Sequence, residues 1–196
     1  MPLREAASSV PEEHALDVAV DDDATTHPDS FVDSLARVRI GATFNQYAAA
    51  PHLRERLRAY LVTRRRAPIL VVGEAAGYRG ARVSGIPFTS ERQLTGAGPA
   101  EASATIVHRV LRELGLEDEV LLWNVVPTHP GTPSSNRPPT REEVDRGLTF
   151  LEPLARRRRV VAVGRVAEAA TGAAYVRHPS RGGAARFRAG LLESLR

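Results

Sequence analysis

Three segments of this chain join side chains able to bind or catalyse to turn-forming residues. GEAAGYRG, beginning at Gly73, is built of small residues that leave its backbone accessible, and peptide N–H groups there can cradle a carbonyl or a phosphate. Further on, Phe88 follows Pro87 in a polar stretch. Its ring can stack on a planar base, or fold back onto the core. Asn124 sits at the end of an otherwise apolar run, LLWNVVP. A buried Asn must satisfy an amide donor and a carbonyl acceptor, and a planar lactam-type base offers partners for both on one edge. The alternative is an Asn that only closes the next turn. In RHPSRGG, His178 can donate a hydrogen bond to a developing anion, or bond to backbone at a strand end. Ser180 and the Gly182–Gly183 backbone can hold a phosphate.

These segments need elements that bring them together. Residues 68 to 73 are a short apolar run rich in β-branched side chains and stopped by Gly73, the pattern of a buried parallel strand. EVLLWNVVP, RVVAVG and AYVRHPS repeat that pattern. Helical spacing appears between them. Leu53, Leu57, Tyr60 and Leu61 share one face of a helix, PAEASATIVHRVLRELGL reads as a second, and Thr140 with Glu143 forms a capping box for a third. Arg165 to about Thr171 and GGAARFRAGLLESLR complete the set, and Phe31, Leu35 and Val38 open it, with Asp29 or Ser30 as the cap. Such alternation predicts an α/β fold: a three-layer α/β/α sandwich around a central, mostly parallel, four-stranded sheet. All three segments follow the carboxyl ends of strands, where such sheets bind ligands. The stretch from Glu74 to about Pro99 reads as one long functional loop.

The chain has 196 residues and no cysteine, which excludes disulfides, iron–sulfur clusters and a thiolate nucleophile. No apolar run is long enough to span a membrane, and the N-terminus lacks a signal-peptide pattern, so a cytoplasmic location is expected. Charge is split. Residues 1 to 30 carry eight acids and one base, a net −7, whereas residues 31 to 196 carry a net +11. The first stretch lacks apolar periodicity and reads as a disordered acidic tail (1–30) on a domain covering 31–196. A basic body of this size points to a polyanion, nucleic acid first, against the alternative of a merely cationic surface. The tail can shield that body or only solubilise it.

Taken in order, VVGEAAGYRGARVSGIPFTSE, LLWNVVPTHP and RHPSRGG resemble the three motifs of the uracil-DNA glycosylase superfamily. The resemblance spans roughly residues 31 to 196. It implies a sheet of about four strands between helices, and excision of uracil or a related deaminated base from DNA by hydrolysis of the N-glycosidic bond, the base being flipped into a pocket without metal or cofactor. Carried onto this chain, Phe88 would stack on the flipped base, Asn124 would bond its edge, backbone at Glu74 and Ala75 would hold a base carbonyl, and His178 would stabilise the departing anion. Ser180, Gly182 and Gly183 would grip phosphates, and Arg181 would wedge into the duplex. Glu74 is the expected water-positioning base, with Glu91 second. Ala75 stands where the best-known branch has Asp, Ala76 replaces the usual Pro, and the absent cysteines exclude the cluster-bearing branch. Asn136 and Arg137 lie in a polar loop that contacts the DNA backbone or is plain surface, and Asn45 and Tyr47 are weaker candidates for the same face. The expected partner is DNA containing a deaminated base, met by a monomer in the nucleoid-associated cytoplasm. The alternative is a silent relative that binds nucleic acid or a base without cleavage. Another nucleotide-binding α/β enzyme would not explain Asn124 and His178 together.

Overall fold

The apolar runs form four strands whose side chains alternate between two cores. The computed structural model describes residues 27–196. Its strands are β1 (Ile69–Ala75), β2 (Val120–Val126), the short β3 (Gly131–Thr132) and β4 (Ser135–Asn136), β5 (Arg159–Val163) and β6 (Ala174–Val176). Strands β2, β1, β5 and β6 pair in that order, all parallel, while β3 and β4 make a separate antiparallel ribbon. The sheet is thus fully rather than mostly parallel.

The helices are α1 (Pro28–Arg37), α2 (Gln46–Ala49), α3 (Pro51–Thr63), α4 (Ala81–Ser84), α5 (Glu91–Thr95), α6 (Ala102–Glu113), α7 (Arg141–Ala155), α8 (Arg165–Thr171) and α9 (Ala184–Ser194). Successive strand residues point to opposite faces. Leu70, Val72, Leu121 and Trp123 therefore pack with Leu35, Leu57, Leu61, Leu154 and Ala167 from α1, α3, α7 and α8. Val71, Val120, Leu122 and Val161 pack on the other side with Val107, Val110 and Leu111 of α6 and Phe187 and Leu191 of α9. Two apolar faces on one sheet require helices on both, which makes the three layers.

Local chemistry explains the boundaries. At α7 the Thr140 hydroxyl accepts the Glu143 N–H at 3.2 Å and the Glu143 carboxylate accepts the Thr140 N–H at 2.9 Å, the expected capping box. Helix α1 begins at Pro28, ahead of the expected domain boundary at residue 31, because Pro suits the first helical turn. Its N-cap is His27, which makes no side-chain cap bond, so neither Asp29 nor Ser30 caps it. Asp29 and Asp33 instead pair with Arg58 of α3. Residues 1–26 of the acidic tail lie outside the described residues. The stretch after β1 is not all loop: it holds the short helices α4 and α5, the latter opened by a Ser90–Gln93 capping box. Among the described residues no helix is long and apolar enough to cross a membrane.

Candidate functional site

The carboxyl ends of β1, β5 and β6 open into a cleft of about 750 Å³. Its walls come from the first motif (Glu74 to Arg79), the start of α6, Asn136 and Arg137 from β4 and the loop beyond, Arg165 of α8, and the segment from Tyr175 to Arg181. The first and third sequence motifs thus meet there directly, and Pro130, the last residue of the second, also lines the cleft.

Glu74 is the penultimate residue of β1 and Ala75 the last. The Glu74 side chain makes no ion pair or hydrogen bond to any described residue, and partial burial pushes its carboxyl above the usual carboxylate range. Glu74 is exposed at the strand end, and with no cation beside it the carboxyl does not brace the fold.

His178 lies just past β6. Its Nδ1 accepts the backbone N–H of Ser180 at 3.2 Å and lies 2.9 Å from the Ser180 hydroxyl. A backbone N–H can only donate, so Nδ1 carries no proton and neutral His178 bears its hydrogen on Nε2. Burial, aided by the neighbouring Arg177 charge, holds the imidazole below the usual histidine range and keeps it neutral near pH 7. Two residues of the motif therefore fix which nitrogen donates.

The base-binding candidates lie one residue back along β1. The β1–β2 register sets Gly73 beside Asn124. A Cβ on Gly73 would stand 2.3 Å from Phe88 Cζ and 2.9 Å from Asn124 Oδ1, so the ring and the amide converge over the missing side chain. Asn124 is 4% exposed, and its side-chain amide bonds to no described residue. Phe88 is 8% exposed and packs in the second core, with φ +51°. A non-glycine residue in that region is strained and persists only where its surroundings enforce it. Neither residue lines the open cleft; Phe88 takes the folded-back placement that its sequence also allowed.

The remaining candidates separate. Ser180 and Arg181 line the cleft, and Arg181 pairs with no acid among the described residues. Gly182 has φ +75°, while Gly183 precedes α9 and packs so closely that a Cβ would lie 2.3 Å from the His178 carbonyl oxygen. Asn136 lines the cleft and accepts the Tyr78 N–H at 2.9 Å. Arg137 also lines it, but its guanidinium is spread over the Glu143 carboxylate at 2.8 and 2.6 Å. Glu91 lies outside the cleft, at the start of α5, where Arg56 grips its carboxylate at 2.7 and 3.0 Å. That bidentate pair occupies the carboxylate expected as the second-choice base. Asn45 caps α2, and Tyr47 is fully buried with its hydroxyl donating to the Gly85 carbonyl at 3.0 Å; both serve the fold.

Further cleft residues lie inside the motifs (Tyr78, Arg79, Arg177) or outside them (Glu101, Arg165, Tyr175). Tyr78 and Tyr175 each lie under a guanidinium, of Arg79 and Arg165 respectively, and Glu101 and Arg177 complete the walls. His129 is fully buried, with Nδ1 2.7 Å from the Ala76 carbonyl and Nε2 2.8 Å from the Thr132 carbonyl. It ties the first motif to the β3–β4 ribbon. Only the three-dimensional approach of these loops exposes such roles.

The fold and cleft define a parallel α/β protein with an open cleft at the carboxyl ends of its strands, lined by an unpaired acid and a neutral imidazole donor. The chain belongs to the Uracil DNA glycosylase superfamily, whose family model matches residues 61–192. With no cysteine, it is a member without cluster-binding thiolates. In three dimensions it is similar to the crystal structure of wild-type Pedobacter heparinus SMUG2, with a TM-score of 0.61 at 11% identity over 84% of this chain and 96% of that one. At that identity the likeness bears on the fold. Curated protein sequences contain no significant match.

Proposed function

We propose that the protein is a monofunctional DNA glycosylase that hydrolyses the bond joining uracil, or a related deaminated base, to deoxyribose. The observation that carries this reading is the presence in one cleft of an unpaired carboxyl, Glu74, and an imidazole whose Nε2 is held as a donor, His178. The C1′–N bond breaks first, and water oxygen then adds to the sugar C1′. The bonding pair leaves with the base, the water proton passes to the Glu74 carboxylate, and His178 Nε2–H bonds the oxygen on which negative charge builds. One preorganised donor of that kind is worth about 3–4 kcal/mol. Asn124 supplies the unpartnered amide for the base edge, and Phe88 the ring face. Arg181, with Ser180 beside it, meets the phosphates, within a body that is net basic.

The partner in this reading is DNA carrying a deaminated base, acted on by a monomer in the nucleoid-associated cytoplasm. Incubation with uracil, hypoxanthine and thymine-mismatch oligonucleotides, followed by alkali and gel electrophoresis, tests it. Cleavage at the uracil is expected. No alkali-labile site in any of them, at stoichiometric protein, would remove the enzymatic reading. One observation favours the silent-binder alternative: Phe88 and Asn124, the expected base contacts, are buried and do not line the open cleft. The same gel separates the two.

A further inference from the structure

Glu101 is the second carboxyl of the cleft, and neither the motifs nor the proposed mechanism uses it. By position it is the N-cap of α6, yet its side chain makes no cap bond. It turns onto the first motif instead. A Cβ on Gly77 would stand 2.1 Å from Glu101 Oε1, and one on Gly80 would stand 2.1 Å from Oε2. Each carboxylate oxygen thus fills the space left by one glycine, and the two glycines form a cradle shaped to this group. Glu101 makes no ion pair or side-chain hydrogen bond with any described residue, and burial pushes its carboxyl above the usual range. The positive end of α6 acts in the other direction and favours the ionised form.

The cations around the cleft are occupied or belong to other elements. Arg137 is bound to Glu143, Arg165 to Glu168, and Arg79 lies over Tyr78. Arg177, His178 and Arg181 come from the segment after β6, and none of them pairs with Glu101. Keeping an unpaired carboxyl in a partly dry cleft is unfavourable unless its charge has a use. The proposed reaction has one: as the C1′–N bond lengthens, positive charge spreads over C1′ and the ring oxygen before water adds.

We propose that Glu101 is a second acid of the reaction, a carboxylate seated in the Gly77–Gly80 cradle that stabilises the cationic sugar while Glu74 takes the proton from water. Glu101 neither gains nor loses a proton in the cycle. The inference rests on the glycosylase reading, and the experiment keeps the two apart. Steady-state excision of uracil is measured from low to neutral pH for the full chain, Glu101→Gln and Gly77→Ala, with melting temperatures for each. Both carboxyls must be ionised, so the parent's acid limb in log kcat should have a slope of about two, and Glu101→Gln should reduce it to about one. The same change should lower kcat by on the order of a hundredfold with little change in KM or melting temperature. Gly77→Ala displaces the end of a flexible side chain rather than backbone, so it should lower kcat without unfolding. Combined with Glu101→Ala it should add little further loss. A parent that excises uracil while Glu101→Gln keeps its kcat and slope overturns this inference and leaves the function intact. A parent that excises no base overturns both.

Discussion

Gly73→Ala probes the one place where strand register, ring and amide coincide. The new Cβ would stand 2.3 and 2.8 Å from Phe88 Cζ and Cε2, and 2.9 Å from Asn124 Oδ1. Ordinary carbon contacts are about 3.5–4.0 Å, so the ring must retreat by roughly 1 Å or more. It has little freedom to do so: its backbone is held at φ +51° and its other contacts belong to the second core. Overpacking of this kind costs about 1–3 kcal/mol. For a chain of this size that is about 2–4 °C in melting temperature per kcal/mol. A misplacement of about 1 Å at the reacting centre can lower rates on the order of a hundredfold. Thermal melting and kcat/KM for uracil excision are the assays, with Gly96→Ala as control. Gly96 has φ +76° and no atom within 4 Å of an added Cβ, so alanine there brings about 1–2 kcal/mol of backbone strain and no contact with the site. The expected pattern is loss of both stability and activity at Gly73, and of stability alone at Gly96. A Gly73→Ala protein that melts and excises like its parent would refute the convergence of Phe88 and Asn124 on this glycine.

His178→Ala should lower kcat on the order of a hundredfold with little effect on KM, because the lost bond strengthens only as charge builds on the base; an equal loss in binding of uncleaved DNA would point to a ground-state contact instead. Activity should fall as pH drops through the raised Glu74 value, since the proton acceptor must be ionised, and Glu74→Gln should remove most activity at every pH in the same assay. Glu143, 1% exposed and held down to about 2 by Arg137, Thr140 and the Ala42 N–H, contributes stability that is complete above its ordinary value of 4.5 and is lost as pH falls toward about 2. Glu143→Gln should lower stability by about 1.5–3 kcal/mol at neutral pH and flatten that acid-side decline in denaturant titrations. Deleting residues 1–26, which hold seven acids and one base, should tighten DNA binding at low salt, with the gain fading as salt is raised; equal affinity at all salts would leave the tail without a shielding role.

Much of the candidate site's placement was legible as pattern. Glu74 and His178 sit at strand ends bounded by glycine and proline, and strand ends in a parallel sheet converge by topology, so their meeting needed no tertiary detail. The capping box at Thr140 and the two-faced strands followed from local periodicity in the same way. Glu91 did not follow, because its fate depends on Arg56, thirty-five positions away on another helix. Asn45 and Tyr47 looked available in a polar turn but are consumed by caps and buried bonds.

By itself, the sequence determined the order of the four sheet strands and the longer helices, the all-apolar strands that demand helices on both faces, the basic body and the absence of thiolate chemistry. These follow from residue type and near-neighbour spacing, which short-range sterics and burial translate directly into structure. The tertiary structure decided which charges are free. Two acids of similar appearance, Glu74 and Glu91, became an unpaired cleft carboxyl and one arm of an ion pair, and Glu101, which no motif marks, was brought over two distant glycines. Pairing and desolvation depend on atoms a few ångströms apart in space but far apart in the chain. That separation is why the pairing of each carboxyl was decided only by the fold.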